Sequence, residues 1–169
     1  PPDAFCQAAI QVAFHKMSGG RSAATYEACS TRGFLHGRTE TIRSCSTAMR
    51  ELAQAMRDPS ATPEARHASL LRAMEGHREY ASLCTKGQGF DRHLLGLKKL
   101  VGEGEAMPAI FRDPTYDRTR TWELSTSTLS SEHFESWGFG EVCEAGFGIG
   151  YTVNSKDTTY TVVCRSDRG

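Results

Sequence analysis

The sequence lacks the features that mark several common protein classes. It has no run of about 18 apolar residues, so we expect no transmembrane helix, and Pro1 opens directly into a helical pattern without a basic-then-apolar leader. Its 20 basic and 20 acidic side chains cancel and are interspersed, which argues against nucleic acid or an anionic membrane as the main partner. The 6 histidines include no HExxH or HxxxH spacing, so we expect no metal site.

Paired cysteine motifs are also absent. The 6 cysteines are widely spaced and form no CxxC pair. Most of them lie in apolar stretches beside Ala, Ser or Val, which favours buried free thiols in a reducing compartment over disulfides. We therefore expect an intracellular protein.

Apolar periodicity predicts four helices in the first two thirds of the chain. They cover residues 2–17, 46–57, 63–85 and 90–102, and Thr62 and Pro63 mark the start of the third. The side chains expected to face the core are Phe5, Ala9, Val12 and Ala13; Met49, Leu52, Ala53 and Met56; Leu70, Leu71, Met74 and Ala81; and Leu94, Leu95, Leu97, Leu100 and Val101.

The remaining segments have no helical period. Residues 25–43 contain Gly33 and Gly37 and are predicted as strand and irregular loop, and residues 103–120 as a long surface loop. Strands are predicted at 122–126, 146–153 and 158–164. A chain of 169 residues with helices first and strands last predicts a single mixed α/β domain.

A widely spaced polar set suggests a substrate site. An Arg, a Tyr and a Thr brought together suit a carboxylate, and a nearby pair of serines suits a developing oxyanion; the candidates are Arg92, Tyr26, Thr39, Ser125 and Ser127. Each has a simpler interpretation. Arg92 at a helix start can pair with Asp91, Tyr26 and Thr39 can be packing residues, and the two serines can end a polar strand.

Several collinear motifs resemble the choline/carnitine acyltransferase family. They are Pro2-Asp3-Ala4-Phe5, Tyr26-Glu27-Ala28, the GRTETIRS run at 37–44, His77-Arg78, the DRHLLGL run at 91–97 and Ser125-Thr126-Ser127. The resemblance implies an α/β fold of the CoA-dependent acyltransferase (chloramphenicol acetyltransferase-like) type, with a mixed sheet and packed helices. Members have two such halves around a tunnel, and residues 1–169 resemble a portion of the C-terminal half.

The resemblance also implies the chemistry. Members of the family transfer an acyl group between CoA and carnitine or choline, and their general-base histidine belongs to the N-terminal half, which would be this chain's partner. None of the 6 histidines here lies in a matching motif, so the isolated chain is expected to be inactive. No permanently bound cofactor is implied, because CoA and acyl-CoA are co-substrates.

Residue roles follow from the matched motifs. Tyr26, Thr39 and Arg92 are implied to hold the carnitine carboxylate, whereas choline-using relatives carry Val-Asp-Asn in place of Thr39-Glu40-Thr41 and lack the Arg. Ser127 would stabilise the oxyanion and Phe139 would face the trimethylammonium group. Ala28 replaces a family Ser that contacts carnitine. An aromatic side chain among glycines, such as Phe139, is otherwise a core residue.

For CoA, the resemblance implies contacts from Asp3 and Ser125 to the pantetheine arm and from Arg78 to the nucleotide end. Thr128 replaces a Gln that contacts CoA. Asp3 also suits the first turn of a helix, and Arg78 also suits a solvated helix face.

Trp137 bears on acyl length. Long- and medium-chain relatives carry Gly at its position, where a channel opens, so the indole predicts a short acyl group such as acetyl. The alternatives are a medium-chain carnitine acyltransferase and a non-catalytic fragment that binds carnitine or CoA. A mitochondrial or peroxisomal location is implied, with the cytosol as the remaining option.

Overall fold

The structure is a computed structural model that describes residues 2–166. Its elements, in chain order, are α1 (Pro2–Met17), β1 (Thr25–Ser30), β2 (Thr39–Ile42), α2 (Thr47–Arg57), α3 (Pro63–Thr85), α4 (Asp91–Lys99), α5 (Ala109–Arg112), α6 (Pro114–Arg118), β3 (Leu124–Thr128), β4 (Phe147–Val153) and β5 (Thr158–Val163).

The five strands form one mixed sheet in the order β2-β1-β3-β4-β5. The central strand β3 runs parallel to both of its neighbours, β1 and β4, whereas the two edge strands are antiparallel to theirs. Helices pack against this sheet, so the predicted mixed α/β class is confirmed, and the arrangement is consistent with an acyltransferase-like fold.

The two faces of the sheet differ. Along β1, Thr25, Glu27 and Cys29 are buried, while Tyr26 is half-buried and Ala28 is exposed. Successive side chains of a strand point to opposite faces, so along β1 one face is covered and the other is partly accessible. We call the first the covered face, because α1 and α3 contact it, and the second the open face.

The covered face is packed through polar side chains as well as apolar ones. From α1, Gln7 donates to Thr126 Oγ1 at 3.0 Å and Gln11 donates to Thr25 Oγ1 at 2.9 Å. The side of α1 that the sequence predicts to face the core is wrong. Phe5 is 53% exposed, and Ala9 and Ala13 are exposed too. Strand threonines on the covered face need hydrogen-bond partners, and glutamines four residues apart supply them.

Helices α2 and α3 begin where the sequence predicts. Ser46 Oγ accepts from the Met49 amide and Thr62 Oγ1 accepts from the Ala65 amide, which caps the two helices. In α2 the predicted core residues Met49, Leu52 and Ala53 are buried, but Met56 is 46% exposed. In α3 small and polar residues occupy the buried face, namely Ser69, Ala73, His77 and Cys84, whereas Leu71 is 53% exposed.

Two further predictions fail. The leucines of α4 do not form a core, since Leu97 is 44% exposed and the following Leu100 is 80% exposed. The segment predicted as a long loop contains the short helices α5 and α6, because Asp113 caps α6 and Pro114 takes its first turn. Four- and five-residue helices are too short to show a period.

All 6 cysteines lie within the described residues and are free; Cys6, Cys29 and Cys84 are buried, as predicted, and the other three are half-buried. No helix among residues 2–166 has the length and apolar character needed to span a bilayer.

Candidate active site

The sheet register brings four of the predicted site residues to the open face. Tyr26 lies beside Ser125, and Ser125 lies beside Gly148 on the next strand. Ser127 is two residues further along β3, and Thr39 lies beside Ser30 of β1. Side chains at paired positions point to the same face, so Tyr26, Thr39, Ser125 and Ser127 share it.

The hydroxyl groups on this face differ in their hydrogen bonding. Thr39 Oγ1 donates to the Glu40 carbonyl at 3.0 Å. Within residues 2–166, the side-chain hydroxyls of Tyr26, Ser125 and Ser127 show no hydrogen-bond partner. Tyr26 and Ser127 are half-buried, and Ser125 is only 5% exposed. Polar groups at such positions are normally paired, so these three hydroxyls suit a ligand.

Arg92 lies next to Tyr26. Its guanidinium carbon is 5.9 Å from the centre of the Tyr26 ring, and its Nη1 is 3.1 Å from Asp91 Oδ2. The ion pair with Asp91 is the simpler interpretation of Arg92 given above. The contact with Tyr26 is the one expected if both residues bind the same carboxylate. The Arg92 side chain remains 36% exposed, so it is partly accessible to a ligand.

Residues 137–140 cross the open face above β4. A Cβ atom on Gly150 would lie 2.7 Å from the Trp137 carbonyl oxygen, and one on Gly148 would overlap the Phe139 carbonyl oxygen. Only glycine allows this close approach of two backbones. Since Gly150 is the β4 neighbour of Ser127, the backbone of this segment passes over the strand position next to the candidate oxyanion serine.

The two aromatic residues of this segment form a pair. The Trp137 and Phe139 rings are stacked with centroids 5.5 Å apart, and Trp137 Nε1 donates to the Tyr151 carbonyl at 3.3 Å. Thr128 Oγ1 donates to the same carbonyl at 3.1 Å. The indole is therefore held near Thr128, the last residue of β3.

A buried polar network lies under the covered face. His77 Nε2 is 2.7 Å from Glu27 Oε2, Ser44 Oγ donates to the same carboxylate at 2.5 Å, and Tyr151 OH donates to Asp3 Oδ1 at 2.6 Å. Burial lowers the pKa of His77, but the hydrogen bond and charge of Glu27 outweigh burial and raise it. Burial raises the pKa of Glu27 as well, so the proton between Glu27 and His77 is retained to a higher pH than the proton of an exposed histidine.

Ligand atoms of Asp3, Glu27 and His77 lie within 4.8 Å of one another, a spacing that a metal ion tolerates. The hydrogen bonds of this network already engage all three groups. The absence of a metal site therefore stays a prediction.

The candidate CoA residues are dispersed. Ser125 lies on the open face, Thr128 is exposed at the end of β3, and Asp3 belongs to the network under the covered face. Arg78 is exposed on α3 and pairs with Glu75. The structure does not bring Asp3 and Arg78 to the open face, and their assignment to CoA stays a prediction.

The whole chain matches one known family. The sequence pattern described as Choline/Carnitine o-acyltransferase matches residues 1–169. The chain belongs to the choline/carnitine O-acyltransferase family.

Individual members of the family are similar over most of the chain. It is 38% identical to the mitochondrial carnitine O-acetyltransferase of Saccharomyces cerevisiae over 156 residues, covering 92% of this chain and 23% of that protein. It is 40% identical over 163 residues to the mitochondrial carnitine O-palmitoyltransferase 2 of Homo sapiens, covering 92% and 24%. With the peroxisomal carnitine O-octanoyltransferase of Mus musculus the identity is 37% over 171 residues, covering 99% and 27%. The chain spans about a quarter of the length of these relatives.

Sequence reasoning missed the polar network under the covered face of this member of the family. Glu27 and His77 lie inside quoted family motifs, yet neither was singled out, because a Glu in a strand and a His in a helix are ordinarily solvated. One signal was available. Gln7, Gln11 and His15 recur every fourth residue on α1, a spacing that places three polar side chains on one helix face. All three are buried in the structure, so this polar face is directed at the sheet.

Proposed function

We propose that this chain is a portion of the C-terminal half of a carnitine O-acyltransferase, which transfers an acyl group reversibly between CoA and carnitine. The observation that carries the proposal is the shared open face. The hydroxyls of Tyr26, Ser125 and Ser127 lie there without a hydrogen-bond partner among the residues that the structure describes, and Arg92 lies over the Tyr26 ring. The stacked Trp137–Phe139 pair belongs to the segment that crosses this face.

The carnitine end of the site combines charge and aromatic recognition. The Arg92 guanidinium and the Tyr26 hydroxyl would bind the carboxylate of carnitine, with Thr39 as a further donor once its hydroxyl turns from the Glu40 carbonyl. The Phe139 ring would attract the trimethylammonium group through its negative face. A carboxylate site of this kind favours carnitine over choline, which has no carboxylate.

The chemical step requires groups from two halves. The carnitine hydroxyl and the CoA thiol are weak nucleophiles at neutral pH and need a base with a pKa near 7 within hydrogen-bond reach. That base would be a histidine of the N-terminal half, while Ser127 would donate to the oxyanion of the tetrahedral intermediate. Asp3, Arg78, Ser125 and Thr128 would contribute to CoA binding.

The isolated chain should therefore not turn over. Purified residues 1–169, mixed with acetyl-CoA and carnitine, should release free CoA thiol no faster than a blank reaction, because the general base is missing. Activity should appear when the rest of the protein, including the N-terminal half, is added as a separate polypeptide. Thiol release by the purified chain alone would contradict the proposal, and carnitine binding without turnover after the two polypeptides are mixed would favour a non-catalytic fragment.

We assign a short acyl group, acetyl, on the position of Trp137. Its indole is stacked on Phe139 and held by the carbonyl of Tyr151, the β4 neighbour of Thr128, which follows Ser127 in the chain. A tail extending from the thioester would pass near this position. A medium-chain enzyme is the second candidate, because the relatives include a protein named as an octanoyltransferase as well as one named as a palmitoyltransferase.

Replacing Trp137 with Gly in the full-length enzyme should extend activity to octanoyl-CoA. Removing the indole opens space for the methylene groups, and the ratio of octanoyl to acetyl kcat/KM should rise about 100-fold, as expected for a few buried methylenes. The matched control is Trp137→Phe, which keeps a ring in place and should change the ratio by less than about 3-fold. An unchanged ratio in Trp137→Gly would favour the medium-chain candidate or a different acyl path.

The cellular location is proposed by analogy. Relatives named as mitochondrial and as peroxisomal both match, so we propose one of these two compartments, with the cytosol as the alternative. Fluorescent tagging of the full-length protein beside markers for both organelles distinguishes the three.

A further inference from the structure

Arg43 contacts the same carboxylate as Arg92. Its Nη2 lies 2.5 Å and its Nε 3.1 Å from Asp91 Oδ1, while Arg92 Nη1 lies 3.1 Å from Asp91 Oδ2. The two carboxylate oxygens are thus divided between two guanidinium groups. The Asp91 side chain is only 4% exposed and that of Arg43 17%, so this contact is largely shielded from solvent.

Arg43 is also held rigidly by groups other than Asp91. Its Nη1 donates to the Thr119 carbonyl at 2.8 Å, and its guanidinium carbon lies 5.4 Å from the centre of the Phe90 ring and 4.9 Å from the centre of the Trp122 ring. Trp122 in turn meets the Tyr26 ring edge-on, with centroids 5.7 Å apart. Arg43 therefore connects to both predicted carboxylate ligands, to Arg92 through Asp91 and to Tyr26 through Trp122.

The charges of this cluster decide what Arg92 can bind. An Asp91–Arg92 pair alone would be neutral and would attract a substrate carboxylate weakly. With Arg43 added, the three groups carry a net positive charge, and only Arg92 among them is substantially exposed. Glu40 is a second acid near Arg92. Its Oε1 accepts from the Thr41 amide and from the Arg92 amide, which lies in the first turn of α4. The dipole of α4 favours a negative charge at this position, so the charge of Glu40 is stabilised there without the Arg92 guanidinium.

We infer that Arg43 is a positioning residue for carboxylate recognition: it neutralises Asp91, so that the charge of Arg92 remains available to the substrate. The inference rests on the proposed function, because it takes Arg92 as the ligand of the carnitine carboxylate. Arg43 itself does not touch the substrate in this arrangement. Its effect should therefore appear in the KM for carnitine and not in the KM for acyl-CoA.

A charge-rescue experiment in the full-length enzyme tests the inference. Arg43→Met should raise the KM for carnitine about 10-fold or more and leave the KM for acetyl-CoA within about 2-fold. Adding Asp91→Asn to Arg43→Met removes the uncompensated acid, keeps an oxygen acceptor for Arg92, and should bring the KM for carnitine back to within about 3-fold of the wild-type value. A purely structural role for the pair predicts the opposite, a double variant at least as impaired as Arg43→Met, and that result would overturn the inference.

Two comparisons keep the outcome decisive. Asp91→Asn alone should not raise the KM for carnitine above the wild-type value by more than about 3-fold, so a 10-fold rise would also overturn the inference, even if Arg43→Met fails to fold. Arg92→Asn is assayed in parallel. If it leaves the KM for carnitine unchanged, the proposed function fails; if it raises that KM while Arg43→Met does not, only the role of Arg43 fails.

Discussion

Replacing Ser127 with Ala in the full-length enzyme should lower kcat for acetyl transfer about 100- to 1,000-fold, the usual loss on removing one oxyanion donor. Ser127 lies on the open face, and its hydroxyl has no partner among the described residues. The substitution removes a group that would bind the tetrahedral intermediate more strongly than the substrate, so KM values should change little. Steady-state kinetics with acetyl-CoA and carnitine measure both parameters.

Ser125→Ala is the matched control for Ser127→Ala. Both serines lie on the same strand and face, two residues apart, but the predicted role of Ser125 is a contact with the CoA arm. Its substitution should raise the KM for CoA and leave kcat within about 10-fold of the wild-type value. A kcat for Ser127→Ala within about 3-fold of wild type would remove Ser127 from the mechanism.

Replacing Arg92 with Asn should raise the KM for carnitine about 100-fold. The guanidinium provides a charge-assisted, paired contact that an amide cannot reproduce, and leaving a substrate carboxylate unpaired in a partly buried site costs about 3 kcal/mol. The KM for CoA should stay within about 2-fold of wild type, because Arg92 lies with Tyr26 at the carnitine end of the proposed site.

Arg78→Asn gives the complementary measurement. Arg78 is exposed on α3, away from the open face, and is predicted to contact the nucleotide end of CoA. Its substitution should raise the KM for CoA and leave the KM for carnitine unaltered. Equal effects of Arg92→Asn on both substrates would show that Arg92 has a general structural role, contrary to the carnitine assignment.

Local signals predicted the elements of the fold better than their buried faces. Thr62 and Pro63 mark a helix start because capping acts within one turn, and the structure confirms it. Which side of α1 is buried depends on what it packs against, and the threonines of β1 and β3 select Gln7 and Gln11. The leucine pattern around α4 gave a wrong core prediction for a related reason. Leu97 and the following Leu100 lie on a surface that the described residues leave uncovered.

The candidate site was predictable only as a set of residues. Motifs identified Tyr26, Arg92 and Ser127 separately, but the register of β1 beside β3, which places Tyr26 next to Ser125, joins strands that local patterns cannot pair. The close approach of residues 137–140 to β4 had a visible signal in Gly148 and Gly150. The role of Arg43 had none, because it depends on the three-dimensional meeting of two arginines at one aspartate.

The parallel pairing of β1 with β3 has a consequence for biosynthesis. The contact between Thr126 and Tyr26 joins residues 100 positions apart, so β1 leaves the ribosome long before the strand that completes its hydrogen bonding. Closing so long a loop is slow, and the waiting strand edge is a template for intermolecular pairing. At elongation rates of about 5–20 residues per second the nascent hairpin of β1 and β2 waits roughly 5–20 seconds. We expect molecular chaperones to engage the chain during this interval.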